Sequence, residues 1–200
     1  MTHDKILPVR AWQRMLSGRR LDLLDPDPAD IAIEDIAHGL ARVARWNGQT
    51  VGDHAFSVAQ HALLVETIAS SLEPDWSNAC RLMALLHDAP EYVIGDLISP
   101  FKTAIGLDYK AFENRLLAAI HQRFALPYPV PDAVSRTIKR ADRIAAYHEA
   151  THLAGFSIDE AEQFFGPVDD RGAYASALRA RPADRMKRAF LDRFAALQSA

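Results

Sequence analysis

The chain has 200 residues, 49% of them apolar, with 23 basic and 26 acidic side chains and a formal net charge of −3. This length fits a single domain with its own core, and the composition excludes a disordered chain, a collagen-like fibre and a coiled-coil rod. The balanced charge argues against a nucleic-acid partner, and the absence of a long apolar run argues against a membrane segment. With no apolar leader and a single cysteine, Cys80, we expect a cytoplasmic protein.

Helical periodicity dominates the chain. After a proline-rich turn, apolar residues recur at helical spacing from Ile31 to Val43, and Asp30 is placed to cap that helix. Further helices are predicted from about His54 to Ser71, from Trp76 to Leu86, from Tyr109 to Phe124, from Pro131 to Ala154 and after Pro182, with a turn-rich segment between Pro90 and Pro100. Because no sustained alternation of β-branched residues occurs, we expect an all-α globule in which the turns leave room for a short hairpin. We expect one domain, with a core over about 31–155, an N-terminal extension over 1–30 and a C-terminal helical extension over 156–200.

Two histidines and two aspartates stand among apolar residues on different predicted helices. His87 and Asp88 follow the apolar run Leu82–Leu86, His61 lies on the apolar side of the second helix, and Asp142 lies inside the fifth. Burying an unpaired aspartate is costly, so it needs several donors or a cation. If these helices pack as neighbours, two imidazoles and two carboxylates can converge, a set that suits Mn, Fe, Co, Ni or Zn with open positions for water and substrate. Taken alone, His87-Asp88 is more typical of a helix end with a capping aspartate.

The segment after Asp88 adds polar residues to the predicted metal site. Glu91 follows three residues later and faces the same way if the helical turn continues; Asp96 and Lys102 come next. Hydrolysis by an activated water needs a carboxylate to take a proton and a group to protonate the leaving oxygen. Glu91 and Asp96 are therefore candidate catalytic residues, and a solvated acidic turn is the alternative interpretation.

These residues, in this order, resemble the HD-domain metal-dependent phosphohydrolases. Several stretches resemble the bacterial 5′-deoxynucleotidase branch more narrowly: Arg45-Trp46, Ser57–Val65, His87–Lys102 and, more weakly, Ala141–Tyr147. Together they span about half of the chain.

The resemblance implies an all-helical HD fold that binds one divalent metal ion. Mg is a further candidate besides Mn, Fe, Co, Ni and Zn. The implied metal ligands are His61, His87, Asp88 and Asp142. It also implies that Glu91 and Asp96 lie beside the attacking water, which Asp96 helps to activate. Arg45 would hold a 5′-phosphate with help from Lys102, and Trp46 would pack against the sugar. The implied reaction is hydrolysis of (deoxy)ribonucleoside 5′-monophosphates by a homodimer.

Other interpretations stay open. The segment His148–His152 is a complete H-E-x-x-H motif, whose histidines share a helix face and can chelate zinc as in a protease. However, Ile158 stands at the third ligand position of the longer motif. Glu149 or His152 could instead lie behind the ligands of the HD site, because both share a helix with Asp142. An HD-type nucleoside triphosphate hydrolase or phosphodiesterase would use similar ligands, whereas a non-catalytic helical sensor or interaction module would normally have lost them.

Overall fold

A computed structural model of the protein describes residues 11–97, 109–169 and 174–199. Over these ranges the predicted all-α fold is confirmed, with eight α-helices and one two-stranded hairpin. The helices are α1 (Ile33–Leu40), α2 (Val58–Leu72), α3 (Asn78–Leu85), α4 (Glu91–Ile94), α5 (Tyr109–Arg123), α6 (Asp132–His152), α7 (Ile158–Phe165) and α8 (Ala183–Gln198). The hairpin pairs β1 (Trp12–Arg14) with β2 (Arg20–Asp22) in antiparallel register. None of the helices in the described ranges is long and apolar enough to cross a bilayer.

Several helix starts differ from the prediction because other residues supply the cap. Asp30 does not cap α1: it belongs to a 3-10 turn, Pro28–Asp30, and α1 begins after Ala32 without a side-chain cap. Helix α2 begins at Val58 because the Ser57 hydroxyl accepts from the backbone three residues on. Ser77 caps α3 in the same way, so α3 starts two residues later than predicted.

Two helices were not predicted. The turn-rich segment contains the single-turn helix α4, which starts directly after Pro90. Helix α7 begins with a capping box, in which the side chains of Ser157 and Glu160 each bond the other's backbone N–H. The Ser-x-x-Glu signal for α7 is present in the sequence.

The core is built around α2, which packs against α3, α6 and α8. His61 and Glu66 are buried on α2 together with most of its apolar residues. Because α6 runs beside α2, the polar residues of the two helices are brought within reach of one another. Helix α1 packs on α8 and α4, and α7 packs on α6.

Gly39 sets the separation between α1 and α4. A Cβ at this position would lie 2.7 Å from the Cβ and 2.8 Å from the carbonyl oxygen of Tyr92. Since ordinary carbon contacts are longer than this, glycine is the residue that lets α4 lie directly against α1. Glu91, the residue before Tyr92, lies on the helix that this contact places against α1.

Candidate metal centre

The four predicted metal ligands come together where α2, α6 and the end of α3 meet. Ligand atoms of His61, His87 and Asp88 all lie within 4.8 Å of one another. Asp88 Oδ2 is 3.1 Å from His87 Nε2 and 3.5 Å from His61 Nε2. Asp142 joins the cluster through His61, with its Oδ1 3.1 Å from the same Nε2 atom. The two imidazoles are largely buried, whereas the side chain of Asp142 is 43% exposed and opens the cluster to solvent.

The hydrogen bonds of the two histidines leave their Nε2 atoms facing the cluster. His61 Nδ1 bonds Glu149 Oε1 at 2.5 Å, and His87 Nδ1 bonds the carbonyl of Ala84, at the end of α3, at 2.8 Å. A carboxylate and a carbonyl can only accept, so each Nδ1 is the donor. Both Nε2 atoms are buried and lie 3.1 Å from a carboxylate oxygen, but within the described ranges these contacts lack hydrogen-bond geometry.

This donor set fits a divalent cation. Burial by itself lowers the pKa of His61, but the surrounding carboxylates of Glu149, Asp142 and Asp88 outweigh it and raise the pKa well above its usual value. A site that attracts protons this strongly attracts a cation for the same electrostatic reason. An imidazole that donates from Nδ1 to a carboxylate or carbonyl presents Nε2 to a metal, the usual arrangement of metal-binding histidines.

Arg45 and Trp46 lie beside this cluster in the 3-10 turn Arg45–Gly48. The turn is attached to the start of α2 by a β-bridge between Ala44 and Ser57, and Trp46 has a φ of 57° within it. Arg45 Nε and Nη2 both lie 3.2 Å from an oxygen of Glu149, and Nη1 lies 3.1 Å from Asp96 Oδ2. Glu149 and Asp96 therefore hold the guanidinium from two sides, through hydrogen bonds from Nε and Nη1 and an ion-pair contact of Nη2.

Trp46 joins the cluster to an aromatic group from the C-terminal part of the chain. Its indole N–H donates to Glu149 Oε2 at 2.9 Å. Its ring lies 5.6 Å from that of Phe156 and 6.1 Å from that of Phe165, in tilted and edge-on contacts. The third residue predicted to bind substrate, Lys102, lies outside the described residues.

The two predicted catalytic carboxylates flank the cluster on α4 and just after it. The Glu91 N–H donates to the Asp88 carbonyl at 3.0 Å, so the helical turn expected between the two residues is present. Glu91 is 3% exposed, and its Oε2 has no hydrogen-bond partner among the residues described. Burial, reinforced by the charges of Asp88 and Asp96, raises the pKa of Glu91 to about 9. The Asp96 side chain is 6% exposed and forms an ion pair with Arg45.

Glu149 connects more of the site than the sequence indicated. It is fully buried and accepts hydrogen bonds from His61, Arg45 and Trp46. Although burial opposes ionisation, Arg45 and His61 hold the pKa of Glu149 at about 2. Glu149 lies seven residues, or two helical turns, after Asp142. This spacing predicts that the two residues share one face of α6. Its contacts with Arg45 and Trp46, by contrast, join segments about a hundred residues apart.

The zinc-protease interpretation of His148–His152 does not fit this geometry. Glu149 would have to face a metal held by the two histidines, but its carboxylate points to His61 and Arg45 instead. His152 is exposed and its Nδ1 bonds the carbonyl of His148. Of this motif, Glu149 contacts the histidine and aspartate cluster, whereas His152 bonds within α6.

Comparisons with known proteins identify the family of the chain. The family model for YfbR-like 5′-deoxynucleotidases matches residues 36–154. An uncharacterized protein of Rhodobacter capsulatus is 56% identical over 184 residues, which cover 92% of this chain and 94% of that protein. The uncharacterized protein YfdR of Escherichia coli is 36% identical over 139 residues, covering 70% of this chain and 67% of YfdR. The matched range of the family model begins in α1 and ends just after α6, so it contains the whole histidine and aspartate cluster.

Proposed function

The chain belongs to the YfbR-like 5′-deoxynucleotidase family of the HD superfamily, and from that premise we propose that it hydrolyses (deoxy)ribonucleoside 5′-monophosphates to nucleosides and orthophosphate. Membership makes it an HD-type metal-dependent phosphohydrolase. The observation that carries the finer proposal is the convergence of ligand atoms of His61, His87 and Asp88 within 4.8 Å, beside the guanidinium that Glu149 and Asp96 hold in place. A metal centre next to a planar cation suits a phosphate monoester, which is small and doubly charged.

The proposed cation site consists of His61, His87, Asp88 and Asp142. When bound, a divalent cation (Mn, Co, Fe, Ni, Zn or Mg) supplies the Lewis acidity that lowers the pKa of water and polarises a phosphoryl oxygen. The partial exposure of Asp142 leaves an approach for water and substrate.

The neighbouring residues supply substrate binding and proton transfer in this proposal. Arg45 binds the phosphoryl oxygens through its guanidinium and offsets their charge in the transition state. Asp96 takes the proton of the attacking water as the new P–O bond forms, and Glu91 donates a proton to the leaving 5′ oxygen as the old bond breaks. Trp46, held by its indole N–H and by two phenylalanine rings, provides an apolar surface for the sugar. Lys102 is proposed to assist at the phosphate.

A phosphate-release assay tests the function. Metal-stripped protein is supplied with each of the candidate metals and assayed on ribo- and deoxyribonucleoside mono- and triphosphates and on cyclic and diester phosphates. The wild type, Asp88→Ala and Asp192→Ala are compared; Asp192 is an exposed aspartate on α8 and serves as the matched control. We expect orthophosphate from 5′-monophosphates with the wild type and Asp192→Ala, and none with Asp88→Ala.

The other outcomes separate the alternative functions. Tripolyphosphate released from triphosphates would replace the monophosphatase proposal with triphosphate hydrolysis at the same site. Activity only on cyclic or diester substrates would indicate a phosphodiesterase. Metal binding without hydrolysis of any of these substrates would favour a sensor. Homodimerisation and cytoplasmic location stay predictions, the first of which light scattering on the purified chain tests directly.

A further inference from the structure

We propose that Glu149 is a positioning residue that couples the metal centre to the substrate-binding residues. In this role it fixes His61 with Nε2 toward the metal and, with the same carboxylate, holds Arg45 and Trp46 in place. The inference rests on the proposed function, since it concerns the same site.

The carboxylate of Glu149 is divided between two tasks. Oε1 bonds His61 Nδ1, whereas Oε2 accepts from Arg45 Nε at 3.2 Å and from Trp46 Nε1 at 2.9 Å. The three donors lie on two segments, α2 and the 3-10 turn Arg45–Gly48, while Glu149 lies on α6. Glu149 is fully buried, so its carboxylate oxygens are not exposed to solvent. One side chain therefore defines the relative position of three parts of the site.

The bond to Oε1 decides which nitrogen of His61 can bind a metal. A neutral imidazole carries one proton, and a carboxylate next to Nδ1 keeps the proton there. The lone pair is then on Nε2, the atom that faces Asp88 and Asp142. The negative charge also makes the imidazole a better metal ligand.

The contacts of Oε2 hold Arg45 in place beside the cluster. Glu149 and Asp96 hold the guanidinium from two sides, through Nε with Nη2 and through Nη1. Contacts on two sides fix the orientation of the planar guanidinium toward a bound phosphate. Trp46, bonded to the same oxygen, is fixed relative to Arg45 by this shared contact.

The substitution Glu149→Gln removes this arrangement while keeping the shape of the side chain. If the amide oxygen faces His61, the amide NH₂ meets the N–H groups of Arg45 and Trp46. If the amide is flipped, its NH₂ faces His61 Nδ1, and the imidazole can accept that bond only by moving its proton to Nε2. The first orientation places N–H donors against each other, and the second puts a proton on the metal-binding nitrogen.

The test measures metal binding directly. Calorimetric titration of the metal-stripped full chain with Mn²⁺ or Co²⁺ compares the wild type, Glu149→Gln and Glu66→Gln. Glu66 is the matched control, a glutamate on α2 that is 2% exposed and bonded to Arg193 at 2.6 and 2.9 Å, away from the cluster. We expect Glu149→Gln to weaken metal binding by about 10–100-fold and Glu66→Gln to leave it unchanged. At saturating metal, inhibition by orthophosphate should also weaken in Glu149→Gln, because Arg45 is no longer held.

Unchanged metal affinity in Glu149→Gln would overturn the proposal, whatever its activity. A second measurement needs no variant: ¹⁵N NMR of the zinc-loaded wild type reports the protonated nitrogen of each histidine. A proton on His61 Nδ1 supports the proposal, and a proton on Nε2 overturns it even if Glu149→Gln does not fold. A wild-type chain that binds none of these metals would instead refute the proposed function, so the two failures are distinguishable.

Discussion

The substitution Gly39→Ala tests whether the close contact between α1 and α4 positions the site. An added Cβ would lie 2.7 Å from the Tyr92 Cβ and 2.8 Å from its carbonyl oxygen, whereas ordinary contacts begin at 3.4 Å. The two helices must therefore separate by at least about 0.7 Å. Because backbone atoms form most of this contact, a side-chain rotation cannot relieve it.

The expected magnitude follows from two opposing effects. Alanine gains up to about 1 kcal/mol over glycine in a helix, and overpacking costs about 1–3 kcal/mol, with the upper end favoured by a backbone clash. We expect a net loss of about 1–2 kcal/mol in the free energy of unfolding. For a chain of 200 residues this lowers the Tm by about 2–8 °C. Since Glu91 precedes Tyr92, kcat should fall as well, by up to about 100-fold for a shift near 1 Å.

Thermal and urea unfolding of the metal-free protein measure the change in stability. Glu34→Ala, at an exposed position of the same helix, is the control and should leave the Tm nearly unchanged. A Gly39→Ala protein as stable as the wild type, with unchanged kcat, would refute the reasoning. It would show that the separation of α1 and α4 is not fixed by this contact.

Three further predictions concern pH, metal and substrate binding. Burial lowers the pKa of His121, although its bond to the Pro127 carbonyl opposes this, so the folded chain keeps it neutral where the unfolded chain takes up a proton. This contribution to stability is complete above pH 6.5, the usual pKa of histidine, and is lost as the pH falls below it. In urea unfolding between about pH 7.5 and 5.5, the free energy of unfolding should therefore decline less in His121→Asn than in the wild type. An equal decline in the two proteins would contradict the assignment. Metal at a concentration of one hundred times its Kd should stabilise the wild type by about 2.7 kcal/mol and raise its Tm by about 5–10 °C. The Tm of His87→Ala should rise much less, and an equal rise in Tm would show that His87 does not belong to the site. Arg45→Lys replaces the planar guanidinium between Glu149 and Asp96 by an ammonium group, so kcat/KM for the 5′-monophosphate should fall by at least about tenfold. Steady-state kinetics that show no change would exclude a role of Arg45 in phosphate binding.

The sequence determined the all-α class and the identity of the polar residues that converge. His61, His87, Asp88 and Asp142 were identifiable because each stands among apolar neighbours, where an unpaired charge is too costly to keep. Glu91 and Asp96 followed from their distance to Asp88 along the chain. Local periodicity and the known cost of burial made these residues candidates, and the resemblance to the HD-domain phosphohydrolases favoured a metal site over a capped helix end and a solvated turn.

The helix starts were less predictable because competing caps lie close together. Asp30, Asp75 and Ser77 are all acceptable capping residues, and the structure uses only Ser77, at α3. The choice depends on where the packed core allows each helix to begin. The division of the chain into a core and two extensions stays a prediction.

Only the tertiary structure decided how the site is connected. The ion pairs of Arg45 with Glu149 and Asp96 join residues 104 and 51 positions apart, and no periodicity relates such distant positions. The same holds for Trp46 and its contacts with Phe156 and Phe165. Spacing along α6 places Glu149 on the same helix face as Asp142. Whether Arg45, Trp46 or water donates hydrogen bonds to the Glu149 carboxylate depends on which segments pack against that face. The sequence thus identified the candidate groups of the site, and the packing of α2, α6 and the Arg45–Gly48 turn determined which of them contact one another.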